Sequence, residues 1–185
     1  LSSSSAASDV YKRQVNNRTA MESLWHSGCN TPAIFMLAFD GGTLLSYKVD
    51  SDINYVTCGP SPKTVAHFRS GNGNHRAAMK SYLDKIPDGD YVLLLSTGNN
   101  ALESLDDETI SKLTEFGCYN IDTVSNGTPY AFIGRKGNVS PIYERILTDK
   151  SQKIEDVFEL SVLTNTGEIS ALNIGPVKNL LQMSW

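Results

Sequence analysis

The sequence has few cysteines, and they show no recognisable pattern. Cys29, Cys58 and Cys118 have neither C-x-x-C spacing nor histidines placed beside them as metal ligands, which argues against a zinc site or a redox motif. An odd number of cysteines cannot form a complete disulfide framework, so we expect buried or half-buried free thiols. Cysteine usage therefore leaves the cellular compartment open.

The sequence also lacks a strong charge of either sign and any long apolar run. It has 16 Lys and Arg against 20 Asp and Glu, for a net charge of −4. A nucleic-acid-binding surface usually contains a basic face or a basic run, so we expect no nucleic acid partner. The longest apolar runs, Ala33–Phe39 and Tyr91–Leu95, fall far short of the roughly 18–20 residues that cross a bilayer. We therefore expect no membrane span.

The first 14 residues lack the basic and apolar regions of a signal peptide. This Ser-rich string resembles translated adapter sequence at the end of an assembled reading frame. We interpret residues 1–14 as an artefact and expect them to be disordered, because they have little to bury. The chain does not start with Met and stops at Trp185, so both ends look truncated. Residues 15–30 are polar and irregular, which indicates a linker or the end of a preceding domain.

Residues 31–150 carry the hydrophobic patterns of one domain. Ala33–Phe39 is bounded by Pro32 and by an Asp-Gly-Gly turn, which favours a buried strand followed by a hairpin. Strands are also predicted at Thr43–Val49, Ile53–Cys58 and Thr64–Phe68. Asn74 is a plausible N-cap for the first helix, since an apolar stripe at helical spacing follows it: Ala78, Met79, Tyr82, Leu83 and Ile86.

The second half of this domain contains the clearest strand. Tyr91–Ser96 is almost continuously apolar, which indicates a central strand covered on both faces. Asp106 is expected to cap a second helix that buries Ile110, Leu113 and Phe116 and ends at Gly117. Two more strands are predicted at Tyr119–Val124 and Tyr130–Gly134, and a short helix at Pro141–Leu147. Residues 151–185 are predicted to form a trailing hairpin, whose strands are Val157–Leu163 and Glu168–Ile174.

The sequence contains no recognisable catalytic motif. Its glycine pairs match neither a P-loop nor a dinucleotide-binding loop and are read as turns. A nucleophile pair such as Cys58 with His67 stays open, because catalytic partners meet in space and not in sequence. Three carboxylates surround one turn: Asp84, Asp88 and Asp90. They are either solvated turn residues or part of a glycosidase or calcium site. Their spacing differs from the regular ligand spacing of a calcium loop. We predict neither a cofactor nor a metal ion.

Aromatic side chains offer a different kind of site. Rings that stack on the apolar faces of sugars are common in carbohydrate-binding proteins, although alternation within strands also suits core packing. The candidates for such a platform are Tyr47, Tyr55, His67, Phe68 and Tyr130. We retain Tyr55, His67, Phe68 and Tyr130 as the possible ligand-binding residues.

Several of these segments together resemble a known domain. The resemblance covers Thr31 to Gly137 and rests on the apolar strand ending in Asp-Gly, on Tyr82–Leu93 (Tyr-Leu-Asp-Lys-Ile-Pro-Asp-Gly-Asp-Tyr-Val-Leu) and on Pro129–Gly137 (Pro-Tyr-Ala-Phe-Ile-Gly-Arg-Lys-Gly). These residues are similar to the interleukin-like EMT inducer domain, also called the GG domain, of cytokine-like secreted proteins. They also resemble the stem domain of protein O-mannose N-acetylglucosaminyltransferase.

The C-terminal segment adds a second resemblance. Ile169–Trp185 contains Ile-Gly-Pro and ends in Trp, and it resembles the segment that follows this domain in large gingipain-like proteins related to the PorU sortase of type IX secretion. The framework cysteines of the cytokine members have no match here, so disulfide-dependent cytokine activity is not transferred.

The resemblance implies an α/β (α+β) fold with two twisted β-sheets in a sandwich-like core, flanked by two main helices and followed by the trailing hairpin. It also implies a secreted or cell-surface location. The leading hypothesis is a non-catalytic binding or spacer module, with a glycan or a neighbouring domain of the parent protein as partner. The alternative is a fragment of a gingipain-like cysteine peptidase whose catalytic region is missing.

Overall fold

Two apolar segments of the sequence become the neighbouring central strands of one sheet in the computed structural model. The structure describes residues 13–15, 18–21, 32–58, 63–97, 102, 104–125, 127–152, 154, 159–163 and 169–173. Its ten strands are β1 (Arg13–Val15), β2 (Arg18–Met21), β3 (Ala33–Phe39), β4 (Thr57–Cys58), β5 (Val65–Phe68), β6 (Tyr91–Thr97), β7 (Tyr130–Arg135), β8 (Tyr143–Ile146), β9 (Glu159–Leu163) and β10 (Ile169–Asn173). The helices are α1 (Gly73–Asp84) and α2 (Asp107–Thr114), with 3₁₀ helices at Ser51–Val56 and Ile121–Thr123.

Six of the strands form one antiparallel sheet in the order β4-β5-β3-β6-β7-β8. β3 and β6 pair along their full lengths, from Ala33 opposite Thr97 to Phe39 opposite Tyr91. The sheet with its two helices confirms the predicted α+β class. Strands β1 with β2, and β9 with β10, form separate two-stranded sheets. The trailing hairpin is thus confirmed, whereas the expected pair of sheets in a sandwich is not.

The central strands of the six-stranded sheet are buried on both faces. Successive side chains of a strand point to opposite faces, and each face packs in its own apolar core. On one face, which we call the helix-side core, strand residues such as Met36, Leu94 and Phe132 meet residues of both helices. The contributing helix residues and their close neighbours include Ala78, Met79, Tyr82, Leu83, Leu113 and Phe116. On the other face, the opposite core, the strands contribute Phe35, Leu37, Phe39, Leu93, Leu95 and Ile133.

The helix ends follow local hydrogen-bond chemistry. Asp106 caps α2 as predicted, since its Oδ1 accepts hydrogen bonds from Thr109 N at 2.9 Å and from Thr109 Oγ1 at 2.6 Å. Gly117, with φ of +86°, ends the same helix in a left-handed conformation that glycine adopts without strain. The N-cap of α1 is Asn72 and not Asn74. Both residues are asparagines in a turn, but only Asn72 directs its Oδ1 at the free N–H groups of Asn74 and His75.

Two predicted strands near the start of the domain are wrong. After β3, the Asp40 carboxylate accepts hydrogen bonds from the backbone N–H groups of Gly42 and Thr43, and Leu44 takes a φ of +55°. Thr43–Val49 therefore retains a single isolated bridge, Phe39 with Ser46, instead of a strand. Most of Ile53–Cys58 belongs to the first 3₁₀ helix, where Ile53 N bonds the Asp50 carbonyl, and β4 keeps its last two residues.

Two further predictions are wrong in the second half. Tyr119–Val124 contains the second 3₁₀ helix, because Thr123 bonds the Asn120 carbonyl through both its N–H and its hydroxyl. Pro141–Leu147 forms β8 where a helix was predicted. The spacing of Ile142 and Ile146 suits a helix, but pairing with β7 places Tyr143 against the opposite core.

The remaining sequence expectations have mixed outcomes. No helix among the described residues is long and apolar enough to cross a membrane. Residues 1–12 lie outside the described residues, while Arg13 and Gln14 belong to β1 and pair with β2. The interpretation of residues 1–14 as an artefact, and the placing of the domain boundaries, stay predictions.

A close backbone approach beside the first turn depends on glycine. An added Cβ at Gly41 would lie 2.2 Å from the Gly89 carbonyl oxygen, so we expect Gly41→Ala to lower the free energy of unfolding by about 2 kcal/mol through overpacking. Gly71→Ala is the control, because the space around Gly71 is open. Urea unfolding of both variants tests this, and equal midpoints would contradict the close approach.

The packing of Leu160 predicts that the trailing hairpin stabilises the domain. This β9 side chain is 1% exposed within the opposite core, so Leu160→Ala should lower the free energy of unfolding by about 2–4 kcal/mol. Leu45→Ala is the control, because Leu45 is 61% exposed and should leave stability almost unchanged. A stable Leu160→Ala variant would mean that the hairpin does not share the core.

Candidate functional site

Three of the four side chains retained as possible ligand-binding residues are buried and do not share one surface. Phe68 and Tyr130 are each 1% exposed and lie in the helix-side core. His67 is 4% exposed and stacks on Phe35, on the other side of the sheet, with ring centroids 6.2 Å apart. Tyr55 lies in the first 3₁₀ helix, but its side chain is outside the described residues. The three described rings are core residues that a sugar would not reach in this structure.

Tyr130 instead occupies the middle of a polar chain that leads out of the core. Its hydroxyl lies 3.0 Å from the Cys118 Sγ and donates to the Glu144 Oε1 at 2.7 Å. The other carboxylate oxygen, Glu144 Oε2, accepts a hydrogen bond from the Asn120 Nδ2 at 2.5 Å. Burial raises the pKa of the Cys118 thiol to about 12, so this cysteine is a neutral, free thiol near neutral pH and not a nucleophile.

Two of the three carboxylates around the helix-to-strand turn, Asp84 and Asp90, have separate structural partners, and Asp88 is exposed. Asp84 forms an ion pair with Lys112. The Asp90 side chain is buried and accepts hydrogen bonds from Gly41 N at 2.7 Å and from the Tyr47 hydroxyl at 2.6 Å. Burial and then the Asp90 carboxylate raise the pKa of Tyr47. No cluster of metal-binding side chains occurs within the described part of the chain.

The proposed Cys58–His67 nucleophile pair is not tested, because the Cys58 side chain lies outside the described residues. Burial lowers the pKa of His67 to about 4. This histidine is therefore neutral at physiological pH.

An open cleft lies beside the N-terminus of α2. It has a volume of about 300 Å³, and we call it the α2 cleft. Its lining consists of five aliphatic side chains and two polar ones: Leu102, Leu105, Ile110, Ile121, Val124, Asp122 and Ser125. Ile121 and Val124 are buried and belong to the helix-side core, against which Leu102, Leu105 and Ile110 also pack. The cleft is therefore a partly exposed extension of the core.

The rim of the α2 cleft is acidic. Asp122 and Ser125 are exposed at the cleft, and Asp107 is exposed in the first turn of the adjoining helix. Asp106 is compensated by Arg76 at 3.6 Å and Lys80 at 3.5 Å. Among the ion pairs of the described residues, none involves Asp107 or Asp122. An apolar surface beside free carboxylates favours a ligand that combines aliphatic groups with positive charge.

The sequence contained a signal for part of this cleft. Leu105 precedes the Asp106 cap, and Ile110 is the fourth residue of α2, which is the spacing of a hydrophobic staple at a helix start. The strand predicted at Tyr119–Val124 gives no indication that Ile121 and Val124 line the same cleft. That juxtaposition depends on the second 3₁₀ helix, which follows α2 in the chain.

The position of Tyr130 predicts a structural role for its hydroxyl. Tyr130→Phe leaves Cys118 and Glu144 without a shared partner, so the free energy of unfolding should fall by about 1 kcal/mol. Tyr119→Phe is the matched control, because Tyr119 is 53% exposed and should cause little change. Thermal and urea unfolding measure both variants. Equal stabilities of the two would show that the polar chain contributes nothing.

Comparison with known protein families identifies one that matches the central part of the chain. The family model of the interleukin-like EMT inducer matches residues 35–138, which is more than half of the chain and runs from β3 to just beyond β7. No curated protein matches the chain in a sequence comparison. The polar chain and β9 extend the packed structure beyond the matched residues. The chain belongs to the interleukin-like EMT inducer family.

Proposed function

We propose that this chain is a non-catalytic binding module that holds a peptide segment of a neighbouring domain in the α2 cleft. The observation that carries the proposal is the aliphatic lining of this cleft beside an acidic rim. Its volume of about 300 Å³ lies at the lower end of the range typical of ligand sites. One or two aliphatic side chains of a peptide would fill it.

Two physical effects favour such a ligand. Burying a leucine-sized side chain stabilises a complex by about 1.5–3 kcal/mol. Positive charge next to that side chain would meet Asp122 and Asp107 and would mainly increase the association rate and the specificity. The proposed ligand is therefore an aliphatic residue flanked by Lys or Arg. Such a segment can come from a neighbouring domain of the same protein.

The parent protein is part of the proposal. The resemblance of Ile169–Trp185 to the tail found in gingipain-like, PorU-related proteins supports a large secreted or cell-surface bacterial protein of the type IX secretion system. Of this tail, the structure describes Ile169–Asn173, which form β10. The alternative, a fragment of a gingipain-like cysteine peptidase, keeps its catalytic residues in other parts of the parent protein.

A glycan ligand is the competing version of the binding hypothesis. It rests on the resemblance to the stem domain of protein O-mannose N-acetylglucosaminyltransferase. The burial of His67, Phe68 and Tyr130 gives it no support among the described side chains. It therefore enters as one outcome of the binding experiment.

The binding experiment selects ligands without assuming their sequence. Random 12-residue peptides displayed on phage are selected on the immobilised chain, and an array of host and bacterial glycans is probed in parallel. We expect selected peptides to be enriched in Leu, Ile or Val next to Lys or Arg. In titrations with the selected peptide, Ile110→Ala combined with Asp122→Lys should weaken binding at least roughly tenfold, since about 1.4 kcal/mol corresponds to tenfold.

The matched control for charge is Asp88→Lys, which changes an exposed carboxylate that does not line the cleft. It should leave the affinity unchanged. Peptides that bind equally well to the cleft variant would contradict the proposed site. If the chain binds a glycan and the cleft variant does not, the ligand of the cleft is a sugar and not a peptide. If neither peptides nor glycans bind, the binding function is rejected.

A further inference from the structure

Two buried histidines meet where β5 turns into α1. His67 lies on β5 and His75 in the first turn of α1, with exposures of 4% and 6%. Their rings are arranged edge to face with centroids 5.9 Å apart. Phe35 of β3 stacks on the outer side of His67. We call the segment from Val65 to Arg76 the β5–α1 corner.

The hydrogen bonds of His75 require a neutral ring. The backbone N–H of Arg69 donates to the His75 Nδ1 at 3.2 Å. A backbone N–H is always a donor, so this nitrogen must offer its lone pair. Protonation of Nδ1 would place two donors against each other and would break the bond. The bond joins the first turn of α1 to the end of β5, so its loss would loosen the corner.

His67 cannot gain a proton in place either. Its Nδ1 is buried and has no hydrogen-bond partner among the described residues, while the backbone of Val56 bonds the ring. A proton on Nδ1 would create a buried donor without an acceptor, which is unfavourable unless water enters. Since the two rings are neighbours, a charge on one also disfavours a charge on the other.

We propose that His67 and His75 form an acid-sensitive latch that holds the β5–α1 corner closed while both rings are neutral and releases it when either ring is protonated. The latch is separate from the α2 cleft and does not depend on the proposed binding function. Its release would expose the first turn of α1 and the end of β5 to water.

The surrounding charges favour the neutral rings. Burial, then His75 and then Arg69 lower the pKa of His67 to about 4, against an opposing effect of the Val56 backbone. Burial and then Arg69 lower the pKa of His75, with an opposing hydrogen bond to the His67 backbone. The other nearby cation, Arg76, donates to the Ser70 carbonyl. No described carboxylate contributes to either shift.

The direction of the pH effect follows from linkage. An unfolded or opened corner binds protons with the usual histidine pKa of 6.5, whereas the closed corner binds them only near pH 4 at His67. The closed state is therefore fully stabilised above pH 6.5 and loses stability as the pH falls from 6.5 to about 4. Below that range, both states are protonated and the effect is constant.

Two measurements on the full chain test the latch. Nuclear magnetic resonance titration of the histidine rings should give a folded-state pKa of about 4 for His67 and a pKa below 6.5 for His75. Amide hydrogen exchange, corrected for the intrinsic rate at each pH, should show the opening of residues 65–76 increasing roughly tenfold or more between pH 6.5 and 4.5. The amides of β6 should change less.

Variants separate the latch from general acid unfolding. His75→Asn keeps an oxygen near the Nδ1 position, and His67→Gln keeps an amide near the other ring nitrogen, so neither replacement titrates. The double variant should lose the pH dependence of the corner, whereas His26→Gln, which changes the remaining histidine of the chain, should keep it.

If the double variant does not fold, the ring titration of the unmodified chain decides. Folded-state pKa values near 6.5 for both rings, or the same pH dependence in a folded double variant, would overturn the latch.

Discussion

The structure depends on the burial of its two central strands on both faces. Every side chain of β3 is at most 1% exposed, and β6 pairs with it along its whole length. Such a pair requires apolar cover on each side of the sheet. The two helices supply it on one face, and Leu44, Tyr143 and Leu160 contribute to it on the other. Two residues that follow the matched family region, Tyr143 and Leu160, therefore contribute to this core.

The proposed peptide site lies where this scaffold meets solvent at the start of α2. The same helix end contains the Asp106 cap, the ion pairs to Arg76 and Lys80, and the Leu105–Ile110 staple. Exposed ion pairs of this kind contribute little stability, because water and salt screen them. The pairs connect Arg76 and Lys80 of α1 to the cap residue of α2. The α2 cleft is lined by residues of this helix end and of the second 3₁₀ helix.

The sequence predicted the elements whose patterns are strong and local. β3, β6 and β7, both helices, the Asp106 cap and the Gly117 stop are confirmed, because apolar runs and capping residues determine them. Two of the four wrong elements lie where hydrogen bonds of the Asp40 carboxylate and of the Thr123 hydroxyl outweigh a weak strand pattern. The possible ligand-binding aromatics are a different case and stay a prediction. In the sequence, a strand aromatic that faces solvent looks identical to one that faces a helix. In the structure, Phe68 packs against Tyr82 of α1.

The most direct test of this account is native-state hydrogen exchange across the sheet at neutral pH. If β3 and β6 are covered on both faces, their amides should exchange only through global unfolding, with the same free energy as that from urea denaturation. The edge strand β8 should exchange through smaller openings. Amides of β3 that exchange as fast as those of β8 would contradict the central claim that one doubly covered strand pair holds the domain together.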